Sequence, residues 1–315
     1  MNLHSKLQDP RQFIALYGTT APRADSSPER IAKVADRLTA RIRNLPLDGL
    51  TVYDVQDEQG RTSEPRPFPF LPTIDSRLYA KLLHERTAHP VVTYKSITGM
   101  MAEDWEPWLS ETHQEYGISY LSLVGASSSK MQQPSISLSQ ATQIAAAHPA
   151  RFTLGGVVIA ERHSPLRHEG ERIRHKASNG CRFFISQAVY NATTTIRMLH
   201  DYHQLCQSEG IAPSRIILTF IPCGRQKTLE FIRWLGIDIA PEDMQAILDA
   251  PIPVAKSIDI CCANLRAILD QEYTQHLPLG INVESVSINR EEIDASIDLF
   301  HALQNVLESH QRADA

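Results

Sequence analysis

Residues 153–221 read TLGGVVIA (153–160), a helical stretch at 170–177, CRFFISQ (181–187), a longer helical stretch at 193–208, and RIILTFI (215–221). A short β-like run followed each time by a helical pattern implies parallel strands joined by right-handed crossovers. The same unit repeats outward in both directions. Upstream lie FIALY (13–17), LTVYDV (50–55) and strand-like runs at 91–94 and 119–124. Their helices are expected over IAKVADRLTARI, which follows the cap Ser27 and Pro28, then at 75–86, over EDWEPWLSETHQEYG, and at 139–148. Downstream come a helix at 227–235, two additional helical stretches at 241–249 and 254–273, an eighth run at 280–288, and a last helix at 291–308.

Eight strand–helix units in about 300 residues are the count and size of a closed barrel. The expected fold is therefore α/β, a (β/α)8 TIM barrel formed by residues 1–315 as one domain, with extra helices between strands 7 and 8. An open doubly wound sheet would normally carry a glycine-rich fingerprint after the first strand. Here that strand runs into GTTAPR (18–23). The extra helices are expected to cover the barrel mouth or to form a contact in a homo-oligomer. The long segment 56–72 reads as an active-site loop, because function is the usual reason for such length.

Composition narrows the function classes. The chain has 315 residues, 42% of them hydrophobic, and a net charge of -5 from 31 basic and 36 acidic residues spread along it. No basic block points to nucleic acid. No apolar run approaches the roughly 20 residues of a membrane span, and MNLHSKLQDPRQF lacks the apolar core of a signal peptide. The expected location is cytoplasmic. Five scattered cysteines, Cys181, Cys206, Cys223, Cys261 and Cys262, read as reduced packing residues. His163, His168 and His175 follow no standard zinc spacing, so no metal is expected.

In a barrel, polar residues at the C-terminal strand ends are the candidates for chemistry. They are Asp54, Gln56, Asp57 and Glu58 after strand two; Tyr94 and Lys95 after strand three; and 127–130 after strand four. Glu161, Arg162 and His163 follow strand five, Gln187 and Asn191 strand six, and Cys223 and Arg225 strand seven. Ser287, Asn289 and Arg290 lie at strand eight, and Glu284 is expected inside that strand, where an acid is costly unless paired. Each has a plainer reading as a solvated turn, a surface ion pair or a buried partner. No P-loop, GxSxG or HExxH occurs.

Four stretches resemble the methylenetetrahydrofolate reductase superfamily, a flavin- and folate-binding barrel. Residues 159–165 (IAERHSP) resemble its YPExHP stretch, and 176–187 (KASNGCRFFISQ) resemble its K-x-x-x-G-A-x-x-x-I-T-Q. LSLVGA (121–126) lies where the family has LRGD, and VSINR (286–290) where it ends strand eight. The resemblance implies hydride transfer from NAD(P)H through FAD to a folate-bound one-carbon unit. It assigns His163, Lys176, Gly125, Ser127 and Ser128 to the flavin and Gln187 to the pterin. Asn289 and Arg290 close the substrate side, joined by Tyr94.

The family's two acids are missing, replaced by Gly18 and Ala126. Glu284 is the first candidate to replace them as proton donor, followed by Asp54 and Glu58. The missing acids equally suggest a folate- or pterin-binding barrel without reductase activity, or a flavin-independent reductase or one-carbon transferase.

Overall fold

The chain folds locally as its caps dictate. Ser27 accepts a hydrogen bond from Arg30 N just before Pro28. Asp75 accepts from Arg77 N, and Ser137 and Gln140 form a reciprocal capping box. In the computed structural model, residues 3–58, 62–125 and 135–313 are described.

A short helix α1 (Leu3–Gln8) precedes β1 (Ile14–Thr20) and α2 (Pro28–Ile42). Next come β2 (Gly49–Tyr53), α3 (Ser76–Thr87), β3 (Val91–Ser96), α4 (Ala102–Gln114), β4 (Tyr120–Val124) and α5 (Leu138–Ala147). Then follow β5 (Thr153–Val158), α6 (Glu169–Ser178), β6 (Cys181–Ala188), α7 (Ala192–Glu209), β7 (Arg215–Phe220) and α8 (Gln226–Trp234). The chain ends with α9 (Pro241–Asp249), α10 (Pro253–Leu269), β8 (Leu279–Glu284) and α11 (Arg290–Ala313).

All eight strands pair in parallel, each with its sequence neighbour, and β1 pairs with β8 to close the barrel. The protein is a (β/α)8 barrel, with α9 and α10 inserted between β7 and β8 as the sequence implied. One apolar cluster lies between strands and helices; a second fills the barrel interior with Leu3, Ile14, Leu16, Val92, Tyr94, Phe183, Ile185 and Ile217. Gly155 makes that filling possible, because a Cβ there would lie 2.4 Å from the Phe183 ring. Among the described residues no helix is long and apolar enough to cross a membrane.

The N-terminal end of the barrel is plugged. Leu3 is buried in the interior cluster and Leu7 packs against it. Arg215, 2% exposed, donates to four carbonyls: Gln12 O at 2.6 Å, Leu279 O at 2.9 Å, Lys6 O at 3.0 Å and Asp9 O at 2.6 Å. Burial pulls its guanidinium down to about 10. Lys6 also pairs with Asp48 at 2.7 Å, so α1 is tied to the floor by charge as well as by packing.

The sequence reading misplaced two features. It contains no α1. It also runs strand eight through residue 288, whereas β8 ends at Glu284. Beyond that point Ser287 N donates to Ser285 Oγ and Asn289 N to Ser287 Oγ. Side-chain acceptors here offer the backbone an alternative to the sheet ladder.

Candidate active site

Glu284 is the last residue of β8 and lies beside Gly18 of β1 in register. A Cβ on Gly18 would stand 2.9 Å from Glu284 Oε2 and 3.0 Å from the Tyr53 hydroxyl. The missing side chain at position 18 is thus what admits both groups to the C-terminal mouth. Glu284 Oε2 is buried without a hydrogen-bond partner. Burial pushes its carboxyl up to about 7, against the opposing effect of the Tyr53 hydroxyl.

The groups around it form a polar core inside an otherwise apolar barrel. Fully buried Asn282 donates from Nδ2 to Tyr53 OH at 2.9 Å and to Thr219 Oγ1 at 3.3 Å. Since Tyr53 accepts there, its own O–H can point toward the carboxylate. The Tyr94 ring lies 4.7 Å from that of Tyr53. Burial and the charge of Glu284 hold both phenols above their ordinary pKa, so both remain donors. Asn282 Oδ1 and Thr51 Oγ1 are also buried without partners. A set of unmet buried polar atoms needs an explanation in a native protein, and a polar ligand in the mouth supplies one. The arrangement can bind such a ligand and exchange a proton with it.

The other sequence candidates divide by position. Asp54 clamps two strands together: it accepts from Ser96 N at 2.8 Å and from Gln56 Nε2 at 2.8 Å. Glu58 is half-buried in the loop after β2, where its charge acts on Arg66. Gln187 lies at an irregularity in the β6–β7 pairing and donates from Nε2 to Leu235 O at 2.5 Å. Such irregularities re-aim side chains next to active sites. Asn289 caps the turn into α11 by accepting from Glu291 N, and exposed Arg290 pairs with Asp294; neither is brought to Glu284. Gly125 is exposed and has room for a side chain. Ser127 and Ser128 lie outside the described residues.

Two of the residues assigned to the flavin, Lys176 and His163, turn away from the mouth. Lys176 runs along the outer face of β5 past Gly156 and donates to Val157 O at 2.5 Å. His163 Nε2 lies 3.0 Å from Asp201 Oδ2 on α7, and its Nδ1 accepts from Glu169 N at 3.4 Å. With their nitrogens so engaged, these side chains do not fit the task of holding FAD at the mouth. The same hydrogen bonds bear on metal binding. His163, His168 and Asp201 bring ligand atoms within 4.8 Å of one another. However, a Nδ1 that accepts leaves the proton on Nε2, the nitrogen a metal would need.

Three contributors escaped the sequence reading. Tyr53, Asn282 and Thr219 sit in apolar runs, and only their inward alternation, settled by register, marks them. The long segment 56–72, expected as an active-site loop, crosses to α8. Trp234 Nε1 donates to Glu64 O at 3.2 Å. The Arg66 guanidinium lies 5.5, 5.3 and 5.2 Å from the ring centres of Phe70, Phe231 and Trp234. The end of α8 lies at the C-terminal side of the barrel, where Leu235 O accepts from Gln187, so this strap lies on the same side as Glu284 and Gly18. Ala24 N to Pro72 O and Ile74 N to Pro22 O, both 2.9 Å, join it to the loop after β1.

No protein-family model matches the chain, and no curated protein matches it in sequence. Among solved structures, one from Clostridium thermocellum is 29% identical, with a TM-score of 0.82 over 97% of this chain and 99% of that one. It is described as an uncharacterized protein that binds two copies of 5-methyl-5,6,7,8-tetrahydrofolic acid. The 7,8-dihydropteroate synthase of Vibrio fischeri ES114 is 11% identical, with a TM-score of 0.47 over 95% of both chains. That of Xanthomonas albilineans, solved with 4-aminobenzoic acid, is 14% identical, also at 0.47, over 95% of this chain and 94% of its own. Both overlaps are too loose to bear on this site. The chain is thus similar over nearly its whole length to a folate-binding barrel.

Proposed function

We propose that the chain binds a reduced folate at the C-terminal mouth of its barrel and that Glu284 exchanges a proton with it. The observation that carries this is the Glu284 carboxyl over Gly18, its Oε2 buried without a partner, with Tyr53 and Asn282 beside it. The full-length similarity to a barrel that binds 5-methyltetrahydrofolate supports the ligand class. A carboxylic acid and an amide suit the nitrogen-rich edge of a pterin.

The reaction we propose is similar to that of methylenetetrahydrofolate reductase. Reduction of methylenetetrahydrofolate to its methyl form consumes one proton and one hydride. The proton breaks the bond from the one-carbon unit to N10, and hydride from NAD(P)H then completes the methyl group on N5. A carboxyl with a pKa near neutrality is suited to proton transfer at pH 7. Glu284 supplies the proton, and Tyr53 and Tyr94 orient the ring. No step is routed through FAD, because Lys176 and His163 do not present themselves to it. That disposition also favours a second reading, a folate-binding barrel without reductase activity.

Binding of 5-methyltetrahydrofolate by calorimetry, and NAD(P)H oxidation with methylenetetrahydrofolate with and without added FAD, test both readings. Glu284→Gln is expected to slow turnover by roughly 10²–10⁴-fold, the usual contribution of a positioned acid. Full turnover in that variant would remove Glu284 as the acid. Folate binding with no NAD(P)H oxidation under any condition would select the second reading, and no binding would exclude both.

A further inference from the structure

Tyr53 and Tyr94 point into the mouth, and each is followed by a residue on the other side of the barrel wall, Asp54 and Lys95. These two line a cavity of about 340 Å³ on the rim, together with Gln56, Phe70, Asp75 and Trp108. Lys95 Nζ lies 5.1 Å above the Trp108 ring. Among the described residues it makes no hydrogen bond or ion pair. Burial lowers its pKa, and the charges of Asp54 and Asp75 oppose that effect.

Both carboxylates already have donors. Asp54 takes Ser96 N and Gln56 Nε2, while Asp75 takes the guanidinium of Arg77 at 2.7 Å. Lys95 therefore offers the unspent donors in this cavity. The neighbouring cation, Arg77, also lies over Trp108 but is spent on Asp75. A half-buried cation without an ion pair beside an open cavity is stabilised by an anion, and hydrogen bonds to charged groups are about twice as strong as neutral ones.

Resting on the folate reading of the mouth, we infer that the Lys95 cavity receives the carboxylate end of the ligand's glutamate tail. The pterin lies between Glu284 of β8 and the inner side of β2 and β3, and the tail crosses the rim to Lys95 on the outer side. Tyr53 and Asp54, like Tyr94 and Lys95, are neighbours at the strand ends, so an extended molecule that crosses the rim passes from one subsite to the other. The tail's aromatic linker would pass Phe70, which lines the same cavity.

The test compares 5-methyltetrahydrofolate with 6-methyltetrahydropterin, which lacks the tail, by calorimetry on the full chain. Lys95→Met is expected to weaken the folate by at least tenfold and to leave the tetrahydropterin unchanged, while Lys95→Arg retains most of the folate affinity. Equal folate affinity in wild type and Lys95→Met overturns the tail assignment alone. Loss of both compounds in Lys95→Met also overturns it, since the residue would then be supporting the mouth. Binding of neither compound by the wild type overturns the folate reading itself.

Discussion

At the residue scale, the site turns on one exchange of volume: position 18 carries no side chain, and Glu284 and Tyr53 occupy the space. The sequence names Glu284 as a candidate and Gly18 as a departure from the family's pattern. That the two are one feature depends on the β1–β8 register, which spans the whole chain. The raised pKa of Glu284 has a consequence for stability. Below about pH 4.5 both folded and unfolded chains hold the proton. Between there and about 7 the unfolded chain releases it while the folded chain keeps it, so stability falls as pH rises and levels off above 7. Glu284→Gln cannot ionise. Between pH 5 and 8 it is expected to gain on the wild type by about 2 kcal/mol, moderated by solvent at the mouth. Urea unfolding of both proteins at the two pH values measures this; a difference that stays constant would place the carboxyl in an ordinary solvated environment.

At the element scale, the strands and their helices were readable because each apolar run is flanked by caps and periodic stretches. The pieces that were not readable are those whose order comes from tertiary partners. LHSKLQ is too short to show a helical period, and it is helical here because its end of the barrel needs a cover. SVSIN (285–289) alternates like a strand, yet its two serines turn the chain. Flavin assignments made from motifs had a similar limit: Lys176 of KASNG turns onto β5 and His163 of ERHSP onto α7. The floor element yields its own test. Arg215→Met keeps the apolar stem and removes the guanidinium's hydrogen bonds to four carbonyls. It is expected to cost about 3–5 kcal/mol, as for breaking a buried charged pair, read as a fall in the denaturant midpoint. An unchanged midpoint would mean that α1 adds nothing to the fold.

At the scale of the whole molecule, the two ends of the barrel are unlike. The N-terminal end is closed by Leu3, Leu7 and the Arg215 network; the C-terminal end holds the Glu284 carboxyl and the strap. This polarity was legible from the eightfold repeat, since chemistry on such barrels gathers at the C-terminal strand ends. Which of the many strand-end residues converge there was not, because convergence depends on shear and inward alternation around a closed sheet. A barrel sealed at one end is a corridor with a single door. Two reactants that must lie one above the other have to enter in a fixed sequence and depart in reverse. Initial-rate and product-inhibition patterns are expected to show compulsory order, the folate entering first and leaving last, and random-order kinetics would mean that the strap admits each reactant by its own path.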